Sequence, residues 1–158
     1  MTTKVSNPED TLIMKLPYGN VVIETRPDLA PKHVARIKEL VRDGFYDGLV
    51  FHRVIDGFMA QAGCPDGRGT GGSGQKIEAE FSQEPHVRGI VSMARSSNPN
   101  SGDSQFFICF DDASFLDSQY TVWGNVVEGM EHVDSLKRGE PPAQPDGIIS
   151  VKVASDIG

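Results

Sequence analysis

The chain has 158 residues, 38% apolar and 23% charged, the balance of a soluble globular protein with one core, and its length suits a single domain over 1–158. No window approaches the roughly 18 apolar residues of a membrane span, and MTTKVSNPED at the start lacks the apolar stretch of a secretory signal. A formal charge of −7 argues against nucleic acid as a partner, and Cys64 and Cys109, far apart, read as reduced thiols of a cytoplasmic protein.

In chain order, TLIMKLPYGNVVIET (11–25) predicts a hairpin, because two β-branched apolar runs flank Pro17-Tyr18-Gly19-Asn20. Asp28 and Pro31 suit a helix start. Ala30, Val34, Ile37 and Val41 then recur at helical spacing until Gly44 stops them. Six short runs follow, LVFHRVI, FMAQAG, GIVSMAR, QFFICF, YTVWGNVV and IISVKVA, each bounded by turn-forming residues. A second helical pattern, EGMEHVDSLKRG, puts Met130, Val133 and Leu136 on one face. Short strands with two helices predict a mainly antiparallel sheet closed into a barrel or sandwich. The polar stretches 63–75 and 96–104 are long loops, where function tends to sit.

The familiar chemistries fail one by one. Gly67, Gly69 and Gly72 fit G-x-G-x-x-G, but SGQKIEAEF behind them alternates where a phosphate-cradling loop opens a helix, so no dinucleotide cofactor is expected. His33, His52, His86 and His132 form no ligand pair and the cysteines no C-x-x-C, so no metal is expected either. His33 and His132 read as solvated helix positions, and His52 as a hydrogen-bonded structural histidine. No G-x-S-x-G elbow marks a nucleophile. Phe58, Met59, Phe107, Phe115 and Leu116 would ordinarily be core. Arg53, set among apolar residues, needs either a carboxylate partner or a ligand for its five donors.

FHRVIDGFMAQAG, GIVSMAR, SQFFICF and FLDSQYTVWGNV together resemble the signature segments of the cyclophilin-type peptidyl-prolyl cis-trans isomerases, bacterial members above all. The likeness runs from about Thr11 to Val153. It implies an eight-stranded antiparallel β-barrel capped by two α-helices, with the substrate groove outside the barrel. It implies isomerisation of X-Pro bonds in proline-containing peptides and unfolded or folding proteins, by a monomer without cofactor or metal, with no nucleic acid and no membrane partner. Matched residue by residue, the catalytic arginine falls on Arg53 and the proline pocket on Phe58, Met59, Phe107 and Leu116. The groove glutamines fall on Gln61 and Gln105, and the backbone-pairing alanine on Ala94. Four departures stand out against eukaryotic members: Phe115 replaces the pocket tryptophan, Tyr120 the histidine, Arg95 a common asparagine, and Ala62-Gly63-Cys64 the usual G-G-D, which places Ala62 at the groove floor. Without the indole donor, cyclosporin binding is expected to be weak. A binding module that captures proline segments without turnover is the alternative, and Arg53 is the residue such a module would not need.

Overall fold

The computed structural model describes residues 7–65, 67 and 71–157; Gly69 of the glycine pattern lies outside them. Eight strands run in order β1 (Thr11–Leu16), β2 (Gly19–Thr25), β3 (Arg53–Ile55), β4 (Met59–Ala62), β5 (Ile90–Met93), β6 (Phe106–Cys109), β7 (Val122–Glu128) and β8 (Ser150–Val153). They form one antiparallel sheet, ordered β3-β4-β6-β5-β7-β2-β1-β8, curled around a core. The predicted hairpin is present with Leu16 opposite Gly19, and alternation turns Leu12, Met14, Leu16, Val21 and Ile23 inward. The predicted strand 49–55 is shortened to β3, because its first half bonds irregular backbone instead of a neighbouring strand.

That irregular backbone closes the gap between β3 and β8. Val54 exchanges both its backbone bonds with Gly139 at 2.8 Å, Phe51 donates to the Asp146 carbonyl, and Gly48 and Leu49 bracket Ile148. Two of the three helices match the expected pair, α1 (Pro31–Arg42) and the shorter α2 (Met130–Asp134); α3 (Ala154–Ile157), one turn at the end of β8, is an addition. No helix among the described residues is long and apolar enough to cross a membrane. Cys64 and Cys109 are both buried and not joined to each other, and burial pushes the Cys109 thiol up to about 12.

The start of α1 follows the sequence reading at Pro31, its first residue, and departs from it at Asp28. Asp28 pairs with Arg26, and the cap position, Ala30, has no side chain to offer. Glu80 supplies the cap from a distant loop, accepting the N–H groups of Lys32 (3.1 Å) and His33 (2.8 Å). The same carboxylate meets His33 Nδ1 at 2.7 Å, and His33 lies on the buried face of α1, contrary to the solvated position expected. Burial raises the Glu80 carboxyl, but the bonds from His33 and the helix outweigh it and leave it below its ordinary value. His52 also differs from expectation: it is buried, yet its Nδ1 has no hydrogen-bond partner among the described residues.

Buried His33, His52 and His86 share one electrostatic consequence. Desolvation is the largest cause at each and lowers its pKa below the ordinary imidazole value; Glu80 and Asp117 oppose it at His33 and His86, while the Arg53 charge adds to it at His52. Below about pH 6.5 the unfolded chain therefore binds protons that the fold refuses. Stability from these histidines is complete above that pH and is lost as pH falls towards their lowered folded values. Thermal unfolding followed by circular dichroism is expected to give a constant Tm between pH 8 and 7 and a falling one from about pH 6.5 to 5; a flat profile across that range would contradict the assignment.

Candidate active site

The site is built on the convex face of the sheet by strand alternation. Along β4 and β6, Ala60, Ala62, Phe106 and Ile108 point into the main core. Met59, Phe107 and Cys109 point the other way and form a second apolar cluster with Ile90, Ala113, Leu116 and Val122, edged by Phe58, Ala94 and Tyr120. Register then aligns the polar groups. Arg53 pairs with Gln61, and Gln61 with Phe107, so one row across β3, β4 and β6 carries a guanidinium, an amide and an aromatic ring. Ala62 belongs to the interior set, which corrects its expected place at the groove floor.

Nine of the eleven expected site residues surround one hollow of about 110 Å³. Met59, Phe107 and Leu116 form its apolar wall, with Phe58 and Tyr120 half-buried at its margin. Arg53, Gln61, Ala94 and Arg95 supply its polar rim. Gln105 sits next door, lining a larger hollow of about 300 Å³ with Gln61, Ala94, Arg95, Lys76 and Asp103. Phe115 stays outside both, 66% exposed, with its ring 5.5 Å from that of Phe58. Of the aromatic and apolar residues that would ordinarily be core, Met59, Phe107 and Leu116 are buried and still line the hollow; Phe115 is not core.

Each polar side chain is held by a partner. Gln61 Nε2 donates to Gln105 Oε1 at 2.9 Å, and Gln105 Nε2 to the Gly71 carbonyl at 2.9 Å. An amide nitrogen carries two hydrogens, so Gln61 keeps a second donor for a ligand. Arg95 donates through Nε and Nη2 to the Gln119 carbonyl and lies 4.5 Å over the Tyr120 ring. The Ala94 N–H is taken by the Gln105 carbonyl at 2.9 Å. Arg53 is 45% exposed, more open than its apolar neighbours suggest; of the two expectations for its donors the carboxylate partner is present, Nε donating to Glu140 Oε1 at 3.1 Å, and the side chain also lines the hollow.

A buried polar chain backs the pocket. His86 stacks behind Phe107, ring centroids 6.2 Å apart, with Nδ1 on Asp117 (3.1 Å) and Nε2 on Ser92 Oγ (3.0 Å). Ser92 is fully buried and donates onward to the Thr121 carbonyl at 2.9 Å, which turns its proton away from His86 and ties the ring behind Phe107 to the backbone. Sequence reasoning missed His86, Ser92, Asp117 and Glu140, because their partners lie far along the chain and follow no local spacing. No group of three or more metal-ligating side chains stands together among the described residues.

Three comparisons bear on this geometry. Residues 11–153 match the protein-family model for cyclophilin type peptidyl-prolyl cis-trans isomerase/CLD. A probable peptidyl-prolyl cis-trans isomerase of Brucella abortus is 53% identical, covering 98% of this chain and 88% of its own, and peptidyl-prolyl cis-trans isomerase B of Bacillus subtilis is 43% identical over 77% and 87%. Among solved structures, cyclophilin AquaCyp293 from Hirschia baltica aligns with a TM-score of 0.89 at 33% identity, covering 96% of this chain and 76% of that one. A Cryptosporidium parvum cyclophilin type isomerase crystallised in the presence of the dipeptide Ala-Pro aligns at 0.84 with 28% identity, covering 90% and 98%.

The end of β4 depends on Gly63. Its φ of +98° and the adjacent Ser104 carbonyl leave no room for a Cβ, and Ser104 Oγ binds the Gly63 carbonyl at 2.7 Å. Gly63→Ala is expected to cost about 2 kcal/mol, or about 4–8 °C in Tm by calorimetry, and to displace Gln105; an unchanged Tm would refute the steric argument.

Proposed function

Because the chain belongs to the cyclophilin-type peptidyl-prolyl cis-trans isomerases and so catalyses rotation about X-Pro bonds, we propose that Arg53 is the group that favours the twisted amide. Rotation must break amide conjugation, against a barrier of about 18–20 kcal/mol. As the bond twists, the prolyl nitrogen loses resonance, becomes pyramidal and regains a lone pair. A donor aimed at that nitrogen is stronger in the transition state than in either planar ground state, which is the condition for catalysis. The observation that carries this reading is the convergence of Arg53, Gln61 and the Met59–Phe107–Leu116 wall on one small hollow.

Met59, Phe107 and Leu116, with Phe58, hold the pyrrolidine ring by apolar contact while the acyl side turns. Gln61 gives its second N–H to a substrate carbonyl, and the carbonyl of Ala94 pairs with the peptide as an added strand would. Gln105 keeps Gln61 oriented, while Tyr120 and Arg95 shape the rim. Five decades of acceleration need roughly 7 kcal/mol; one charge-assisted hydrogen bond gives part, and positioning with desolvation the remainder.

Residues 11–153 act as one isomerase domain, supported by the span of the family match. The substrates are proline-containing segments of unfolded or folding proteins. We place the protein in the cytoplasm as a monomer, supported by two buried cysteines not joined to each other and by sheet edges occupied by its own backbone. Cyclosporin binds weakly, since exposed Phe115 brings a ring but no N–H to the groove.

An X-Pro peptide assayed by NMR exchange is expected to isomerise about 100-fold more slowly with Arg53→Ala than with the intact protein; equal rates would remove Arg53 from its role. Cyclosporin is expected to inhibit only at high concentration, and nanomolar inhibition would overturn the argument from Phe115.

A further inference from the structure

The partner of Arg53 lies 87 residues away in sequence and is placed by backbone, which makes the contact specific to this fold. Val54 and Gly139 exchange two backbone hydrogen bonds of 2.8 Å, so the residue after Gly139 stands beside the residue before Val54. Gly139 adopts φ +143°, and a Cβ there would meet Pro142 Cα at 2.6 Å, so the turn that delivers Glu140 admits only glycine. Arg138 fixes the same segment from the other side, bonding Asp56 in the β3–β4 turn at 3.1 Å and lying 4.4 Å over the Phe110 ring.

Glu140 and Arg53 are both open to water, 56% and 45% exposed, so their pairing adds little to stability. Its effect is on geometry. A guanidinium is planar, so a bond at Nε fixes the direction of both Nη groups, and here neither Nη has another partner among the described residues. A free arginine would sample many rotamers on this edge strand and would have to be ordered in each catalytic event.

Resting on the reading of Arg53 given above, we propose that Glu140 is a positioning residue: its carboxylate holds Arg53 Nε and so presents the two Nη groups to the prolyl nitrogen in the hollow. Glu140 touches no substrate. Its contribution lies in kcat, because the planar substrate is held by the apolar wall and Gln61 with or without it.

Four proteins test the proposal: intact, Glu140→Ala, Glu140→Gln and Arg53→Ala, with Tm and circular dichroism as fold controls. Glu140→Ala is expected to keep its Tm and KM while kcat falls about 3- to 10-fold. Glu140→Gln, which keeps an oxygen acceptor, restores most of the rate. The Arg53 Nε–H signal in ¹H–¹⁵N spectra should be slowly exchanging in the intact protein and in Glu140→Gln, and lost in Glu140→Ala. A double variant should be no slower than Arg53→Ala alone. If Arg53→Ala is slow but Glu140→Ala runs at the intact rate or faster, the positioning role is wrong and Arg53 stands. If Arg53→Ala itself runs at the intact rate, the reading of Arg53 has failed and the proposal falls with it.

Discussion

The site depends on one constraint, the register that sets Arg53, Gln61 and Phe107 side by side across three strands. Side chains alternate along a strand, so a slip of one residue would turn all three inward and bring Ala60, Ala62 and Ile108 to the groove. The interior forbids that slip. Ala60 and Ala62 are fully buried among Phe106, Ile108 and Trp123, where small residues on β4 make room for large ones on β6 and β7. Core packing on one face of the sheet thereby places Arg53, Gln61 and Phe107 on the other.

Both faces of β4 and β6 carry buried apolar residues, which explains what the sequence disclosed and what it hid. Strand positions and α1 were legible because Leu12, Met14, Val21, Ile23, Val34 and Ile37 follow the periods of a half-buried strand and an amphipathic helix. Which apolar residues belonged to a site could not be read from β4 or β6, since Met59 and Phe107 look like core and are buried like core. The family likeness singled them out through motif order, and both line the hollow. It did not reach contacts between distant segments. His33, in the first turn of α1, is buried against Glu80, 47 residues later, which caps that helix; Arg53 meets Glu140, 87 residues later, across the Val54–Gly139 bridge.

Charge and polarity are distributed by depth. Behind the pocket, His86, Ser92 and Thr121 are buried and linked by hydrogen bonds, with half-exposed Asp117 at the outer end, and this network resists rearrangement of the ring stacked on it. At the rim, where water is present, Arg53 and Arg95 are held by exposed contacts that constrain direction more than they add stability. A rigid apolar wall with an orientable cationic rim suits a reaction that fixes one side of a bond and turns the other.

The irregular closure between β3 and β8 bears on how such an enzyme survives its substrates. Unfolded chains are rich in extended segments that add to any open sheet margin. Here Val54 has both backbone groups taken by Gly139, and the Val151 N–H is taken by Asp47 Oδ1 at 3.1 Å, so the two outer strands offer little for a client to zip onto. An isomerase built this way presents to extended chains few of the open edge groups on which strands add and aggregate.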